Sequence, residues 1–272
     1  MFSLPWAQYR RQPTFYLWYD SIMAVFFSAA IALMWTTGYR APFAGWHWWY
    51  VLAFPVALYV VIMAHVFIHN ASHGNFPKAI NRIVGEICGL IVLTRFPSWE
   101  IVHRRHHRYS DDPERDPHPA ERGYWRFAAN TIVNVERQLQ QQYFDVYGDT
   151  PETRRYERIR AFVSFASGTL LIVCWFLLLG TGGFFALFVP ASIGGALFVI
   201  HFNWCGHNAH TPDQPITPTN LDHGWYWLGN RMFFGIYYHG NHHKMAMLFN
   251  PRKMPKARRA ERADDADRDQ AA

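Results

Sequence analysis

The chain has 272 residues, a formal net charge of +6 and a mean hydropathy of −0.13. Three scattered cysteines and a hydrophobic content of 50% exclude disulfide scaffolds, zinc ribbons, iron–sulfur clusters and disordered chains. The length excludes a transporter with ten or more spans. Two residue classes are in excess, because the chain contains 48 aromatic residues (12 Trp, 22 Phe and 14 Tyr) and 15 His. Aromatic residues at this density are typical of a protein that meets a membrane interface.

Four segments are apolar and long enough to cross a bilayer, which takes about 20 helical residues. They are residues 21–39, 48–68, 161–180 and 183–206. The last two are joined by Gly180-Thr-Gly-Gly183, which predicts a tight turn and a helical hairpin. A fifth apolar run, residues 83–94, is short and contains Glu86, so we expect a buried or interfacial helix there.

Lysine and arginine are distributed unequally among the connections. Of 26 such residues, two precede the first segment, 14 lie between the second and third, and nine follow the fourth. Arg40 alone lies on the opposite side. By the positive-inside rule, both termini and the polar middle segment, about 70–160, are expected in the cytoplasm. This segregation of charge disfavours the alternative of a soluble domain with four buried helices.

The predicted fold class is therefore all-α. We expect an integral membrane protein with four transmembrane helices in two hairpins and a cytoplasmic helical cap. Residues 1–251 are predicted to form this domain, and the charge-rich residues 252–272 a disordered tail near lipid headgroups. The basic charge then reflects topology, so no nucleic-acid partner is expected.

Histidines occur in three clusters and one separate site. The candidate metal ligands are His69 and His73; His103, His106 and His107; His207, in the sequence Asn203-Trp-Cys-Gly-His207; and His239, His242 and His243. Helical residues four apart share a face, and adjacent residues diverge by about 100°. Each HxxHH cluster can therefore give imidazoles to two neighbouring metal ions. Imidazole suits iron, zinc and copper. We expect two iron ions, because redox chemistry would explain a metal site that faces a membrane.

Several residues near the clusters are expected to orient ligands by hydrogen bonding rather than to bind metal. They are His65, His201, His210, His118 and Glu100. No separate protein acid or base is assigned to catalysis. Arg104, Arg105 and Arg108 suit an acidic carrier protein or a lipid phosphate, but they equally suit the solvated face of a helix that carries ligands, and both interpretations remain open.

The order of these clusters around the apolar segments resembles the membrane fatty acid desaturase superfamily, over roughly residues 20–250. The sequence HRRHHRYSDDPERDPH, residues 103–118, is similar to the second histidine box of acyl-CoA desaturases. Asn203 and His207 match an additional ligand pair in which the asparagine reaches a metal through water. The first box, in which Gly74 follows HxxxH, is closer to bacterial and acyl-lipid members. His239 stands where front-end desaturases carry Gln.

The resemblance implies two iron ions held by nine histidines, O2 as co-substrate, and desaturation of a fatty acyl chain carried by lipid, acyl carrier protein or CoA. It implies an external electron donor, such as a ferredoxin, rubredoxin or cytochrome b5-like protein with its reductase. We expect a bacterial inner membrane. Hydroxylation, carotenoid ketolation or hydroxylation, and oxidative decarboxylation to a terminal alkene remain open. A metal transporter or sensor is the non-enzymatic alternative. It is disfavoured because all the histidine clusters are predicted to lie at a single membrane interface.

Overall fold

The fold was obtained as a computed structural model, which describes residues 5–118 and 121–255. These residues form ten α-helices: α1 (Pro5–Tyr9), α2 (Phe15–Thr36), α3 (Tyr50–Ser72), α4 (Asn81–Ile91), α5 (Phe96–Arg108), α6 (Tyr124–Tyr147), α7 (Pro151–Gly183), α8 (Val189–Gly206), α9 (Gly224–Met232) and α10 (His239–Lys244). Across those two ranges, β structure is limited to an isolated bridge between Asn220 and Tyr238. The all-α prediction agrees with this architecture. Most of the predicted tail, residues 256–272, lies outside the described residues.

Three helical stretches are long and apolar enough to cross a membrane: Phe15–Thr36, Tyr50–Ser72 and Pro151–Gly206. Few of their side chains are buried in the protein, and α2 exposes Val25, Phe26 and Leu33. A helix that is apolar on nearly all sides and unburied is stable in lipid rather than in water. The chain is therefore a membrane protein. Its first apolar helix begins at Phe15, six residues before the predicted start, because residues 15–19, four of which are aromatic, continue the apolar pattern.

The third stretch is interrupted at Gly180, which has φ 76° and ψ 174°. The ring centroids of Trp175 and Phe188 lie 4.8 Å apart, although 13 residues of straight helix span about 20 Å. The chain therefore reverses near Gly180, where a Cβ atom would lie 2.7 Å from the Cα of Ala44. The reversal supports two helices in this region, and the number of complete membrane crossings stays a prediction.

The apolar helices pair differently from the predicted two hairpins. α2 packs mainly against α7, and the two run parallel: Cys174 contacts the carbonyl of Phe27, and further along the Tyr39 hydroxyl donates to the carbonyl of Leu178 at 3.0 Å. The expectation that consecutive helices pack as hairpins is thus wrong for α2 and α3. The connection of residues 37–49 is long enough to leave them apart.

α3 packs against α4 and α8. α3 and α8 are also parallel, since their contacts advance along both helices in the same direction, from Leu58 with Gly194 to Val61 with Gly195. The C-terminal ends of α3 and α8 consequently meet at the same end of the molecule. Each of those ends carries histidines, so the parallel pairing brings the first cluster and His207 together.

α1, α5 and α6, which we call the cap, pack against one another, and α5 contacts α3 while α6 contacts α8. An aromatic cluster joins them, with Tyr9, Tyr16, Ile101, Leu139 and Tyr143 at its centre. α4, predicted as a short buried or interfacial helix, buries Gly85, Cys88 and Gly89 against its neighbours and exposes isoleucines on its other face. Its Glu86 accepts a hydrogen bond from the Tyr19 hydroxyl at 2.6 Å.

A buried polar cluster holds α2 against the cap. Asp20, fully buried in α2, accepts from Arg95 at 2.8 Å and from the hydroxyl of Ser164. Arg160 binds Glu157 at 2.9 Å. An isolated charge at this depth is costly, and pairing with opposite charges and hydroxyl groups stabilises it. The cluster therefore serves the packing of α2, α5 and α7.

Candidate metal centre

Four elements bring histidines to one place at the C-terminal ends of α3 and α8. His69 lies in the last turn of α3 and His73 just beyond it, and His207 follows the last residue of α8. α5 carries His103, His106 and His107 on one side, and α10 carries His239, His242 and His243. Nine imidazoles thus converge from segments far apart in the chain.

Five of these imidazoles form a first group: His69, His73, His103, His107 and His242. Their Nε2 atoms are 2.7 Å apart between His73 and His103, and 3.1 Å apart between His69 and His242. Two ligands at right angles on one ion, each about 2.1 Å from it, lie about 3.0 Å apart. The spacing therefore suits imidazoles arranged around a single metal ion.

The other four imidazoles form a second group: His106, His207, His239 and His243. The Nε2 atom of His239 lies 2.9 Å from that of His207 and 3.0 Å from that of His243. The Nε2 atom of His106 is buried and has no hydrogen-bond partner among the described residues. A buried ring nitrogen without a partner is unfavourable unless it binds something, and a metal ion would satisfy it.

The adjacent histidines of each HxxHH cluster belong to different groups. His107 and His242 belong to the first group, whereas their neighbours His106 and His243 belong to the second. The predicted divergence of neighbouring side chains around a helix is confirmed. Among the described residues, both groups consist of imidazole nitrogen donors, which suit iron, zinc or copper. The residues therefore fit two metal ions, and the role of each as a ligand stays a prediction.

Two aspartates that the sequence analysis missed hold imidazoles of the second group. Asp116 Oδ1 accepts from His106 Nδ1, and Asp111 Oδ1 accepts from His207 Nδ1, both at 2.8 Å. These bonds leave each Nε2 lone pair directed to the centre of the group. In the sequence, Asp111 and Asp116 stand next to prolines or close to them, and this pattern predicts only a break in the helix. The available signal was a pair of carboxylates within ten residues of an HxxHH cluster.

The loop geometry explains how both carboxylates reach the site. Asp111 adopts φ 64°, a left-handed conformation that aspartate tolerates better than most residues. Its backbone N–H donates to Asp116 Oδ2 at 2.7 Å, which links the two side chains. Burial by itself would raise the pKa of the Asp116 carboxyl, but His106 and the neighbouring donors leave that pKa lowered. Asp116 is therefore ionised and able to accept.

Burial lowers the pKa of most of the grouped histidines outside the apolar helices, namely His73, His103, His107, His207, His239, His242 and His243. The pKa of His107 falls to about 2, and those of His103, His239 and His242 lie well below their usual value. Desolvation is the largest cause, and the nearby imidazoles add to it because like charges repel. These rings are consequently neutral near pH 7, which is the form that binds metal.

Asn203 lies one turn before His207 and is buried. It lines a cavity of about 20 Å³ together with His69, His103 and Trp99. That volume accommodates about one water molecule. The position suits the predicted contact of Asn203 with a metal through water, which stays a prediction.

His118 and His65 lie beside the two groups. The His118 ring centroid is 5.1 Å from that of His106, its backbone N–H donates to Asp116 Oδ1 at 2.8 Å, and burial lowers its pKa to about 3. His65 lines the same small cavity as Asn203, and its Nδ1 has no partner in the described part of the chain.

Within the described part of the chain, three residues expected to orient ligands make no hydrogen bond or ring contact with them. The Glu100 carboxylate accepts from the backbone N–H of Trp6 at 2.8 Å and from Arg104 at 2.9 Å, so it fastens α1 to α5. The expectation is also wrong for His201 and His210. Both pack among aromatic side chains around Trp204, because they lie on the side of the α8 end that faces away from the two groups.

Gly206 is a second feature that sequence reasoning missed. A Cβ atom at this position would lie 3.0 Å from the imidazole of His239. The absence of a side chain at the end of α8 lets α10 approach closely enough to place His239 beside His207.

The model of the fatty acid desaturase family matches residues 46–270 of the chain. The matched range contains all nine converging histidines, together with Asn203 and both aspartates. No curated protein and no solved structure matches the chain.

Proposed function

The chain belongs to the fatty acid desaturase family, and from that premise we propose that it introduces a double bond into a fatty acyl chain with O2 as the oxidant. Membership in the family makes the chain a membrane-bound oxidoreductase of lipid metabolism. The observation that carries the proposal is the pair of adjoining histidine groups, with five and four imidazoles. Two adjacent all-imidazole sites fit an oxygenase-type reaction at two irons.

In the proposed site, the first group would hold one iron and the second group the other, and Asn203 would reach a metal through water. When bound, the two irons supply the activation of O2 that an unactivated C–H bond requires. The protein's own side chains contribute neutral imidazoles, and Asp111 and Asp116 keep two of these rings in a fixed orientation. Burial of His106, His239 and their neighbours excludes bulk water.

The balance of the reaction requires an electron donor. Forming one C=C bond removes two electrons and two protons from the acyl chain, whereas reducing O2 to two waters consumes four of each. Two electrons and two protons must therefore come from elsewhere. We propose an external one-electron carrier, such as a ferredoxin, rubredoxin or cytochrome b5-like protein, with its reductase. The acyl carrier is a lipid, acyl carrier protein or CoA.

Hydroxylation, ketolation and oxidative decarboxylation are the alternative reactions, since they need the same oxidant and positioning. The sequence Asp116-Pro117-His118 after the second cluster and the Asn203/His207 pair favour desaturation, because they resemble acyl-CoA desaturases. A metal transporter or sensor is disfavoured, since both histidine groups lie at the cap end of the apolar helices rather than along them. We propose a bacterial inner-membrane location with both termini in the cytoplasm.

The test is lipid analysis by mass spectrometry of a host that expresses the chain with a reductase and an electron carrier. A new double bond in the acyl chains, absent with His106→Ala, supports desaturation. A hydroxyl, keto group or terminal alkene would identify one of the alternative reactions instead. Purified protein with far fewer than two irons per chain and no O2 uptake on reduction would contradict the enzymatic proposal altogether.

A further inference from the structure

A basic cleft of about 860 Å³ lies between the end of α1, the end of α5 and the second half of α6. We call it the arginine cleft, after the five arginines that line it: Arg10, Arg105, Arg108, Arg115 and Arg137. Glu114 and Asp145 are the acidic residues of the lining. The cleft is separate from the histidine groups and plays no part in the site described above.

The positive charge of the arginine cleft is only partly neutralised. Arg105 is buried and binds Asp145 at 2.6 Å, and Arg115 binds Asp112 at 2.5 Å. Arg10, Arg108 and Arg137 have no ion pair with any residue of 5–118 or 121–255. Unpaired like charges around one concavity repel each other, and a negatively charged partner relieves this repulsion.

The position of the cleft on α5 distinguishes an electron donor from a substrate. At 100° per residue, Arg105 and Arg108 lie roughly 150° around the helix from the mean direction of the three histidines. The cleft and the metal groups are thus on opposite sides of α5. An acyl chain bound in the cleft would have to pass through the helix to reach the histidines. An electron has only to cross one helix, which is about 10–12 Å wide with its side chains.

A short bonded route also joins the cleft to the second histidine group. Gln138, on the floor of the cleft, donates from Nε2 to the carbonyl of Glu114 at 2.8 Å. Two residues later in the same loop, Asp116 accepts from His106 Nδ1 at 2.8 Å. The wall of the cleft is therefore connected to a candidate metal ligand through two peptide units and one hydrogen bond.

The orientation of α6 argues against lipid headgroups as the occupant. Trp125 and Ile132 are 71% and 68% exposed and share one face of α6, as expected for an apolar face in contact with a membrane. Gln138, Gln141 and Asp145 lie on the opposite face, roughly 160–220° around the helix from Trp125. With the apolar face in the membrane, the cleft opens away from lipid and toward the aqueous side.

We propose that the arginine cleft is the docking surface for an acidic one-electron carrier protein. This inference rests on the proposed function, which requires such a donor. Each docking event oxidises the carrier by one electron and reduces the metal centre by one, so two events supply the two electrons of a turnover. The basic surface attracts the carrier, and α5 with its following loop provides the route to the histidines.

The test measures electron transfer from a reduced acidic [2Fe–2S] ferredoxin, and separately from a reduced rubredoxin, to the oxidised iron-loaded full chain by stopped-flow absorbance. The cleft variant is Arg108→Glu with Arg137→Glu. The matched control is Arg155→Glu with Arg158→Glu, which makes the same charge change at exposed positions of α7. Iron content and the final extent of reduction by excess dithionite are recorded for all proteins.

We expect the second-order rate constant of at least one carrier to fall about tenfold or more in the cleft variant at low ionic strength, and much less in the control. The difference should shrink as salt approaches about 0.5 M, because screening weakens steering. Equal rate constants for the two variants with both carriers would overturn the docking site. An anionic lipid lost only from the cleft variant in native mass spectrometry, or a change confined to the KM for the acyl substrate, would overturn it as well. Failure to load iron or consume O2 in the unmodified chain would instead contradict the proposed function.

Discussion

At the residue scale, the two histidine groups differ in what supports them. Both carboxylates near the site, Asp111 and Asp116, hold imidazoles of the second group. No Nδ1 atom of the first group has a carboxylate partner among the described residues. A carboxylate behind an imidazole raises its basicity and fixes its orientation. The second group should therefore depend on its aspartates for metal affinity, whereas the first depends on having five imidazoles.

Asp116→Asn tests this dependence. The amide oxygen still accepts a hydrogen bond but lacks the negative charge, so we expect metal affinity at the second group to fall about tenfold or more. The measurement is metal per chain after equilibration with graded concentrations of a chelator. Asp112→Asn is the control, because Asp112 pairs with Arg115 in the same loop and touches no imidazole. Identical chelator curves for the two variants would contradict the role of Asp116.

At the element scale, the site depends on the parallel pairing of α3 with α8, which needs the chain to reverse before α8 begins. Gly180 makes this reversal with φ 76° and packs against Ala41 and Ala44. The backbone N–H groups of Gly182 and Gly183 then donate to carbonyls of the connection before α3. These contacts fix where α8 starts relative to α3. They therefore also determine the position of His207 relative to His69.

Gly180→Ala should destabilise the protein by about 2 kcal/mol or more, because a left-handed alanine is strained and its Cβ atom meets Ala44. Gly168→Ala is the matched control in the interior of α7, where nothing lies within 4 Å of an added Cβ. The control should be neutral or stabilising by about 0.5–1 kcal/mol. Thermal unfolding in one detergent compares the two. A melting temperature of Gly180→Ala equal to that of the control would show that the reversal tolerates a side chain.

At the scale of the whole molecule, the distribution of charge predicts topology. Of the 26 basic residues, only Arg40 falls in a connection that the sequence predicts on the side opposite the cap. We therefore expect single cysteines at Gln12 and Asp213 to be labelled from the cytoplasmic side, and one at Arg40 from the other. The measurement uses a membrane-impermeant maleimide on oriented vesicles of a variant without Cys88, Cys174 and Cys205. Labelling of all three sites from one side would contradict the predicted topology.

The many buried histidines also predict how the stability of the metal-free protein depends on pH. The pKa values of His107 and His118 fall to about 2 and about 3, whereas in the unfolded chain they are near 6.5. Below pH 6.5 the unfolded chain takes up protons that the folded chain does not, so stability is complete above that pH and falls as the pH drops.

Each such histidine lowers the free energy of unfolding by up to about 1.4 kcal/mol for each unit by which the pH falls below 6.5. We expect the melting temperature of the metal-free protein to decrease between pH 7 and pH 5, and His118→Gln to make that decrease smaller. Bound metal should oppose the loss, because it competes with protons for the same nitrogens. A melting temperature independent of pH in this range would show that the rings are not buried as neutral imidazoles.

The sequence by itself determined the helical class, the apolar stretches and the nine histidines, because these depend on composition and local spacing. The divergence of His106 from His107, and of His242 from His243, also follows from helix geometry alone. The tertiary structure decided which histidines share a group, and that Asp111 and Asp116 face them while Glu100, His201 and His210 do not. These contacts join residues up to 173 positions apart, such as His69 and His242. Local periodicity contains no information about such distances, which the packing of α3, α5, α8 and α10 sets.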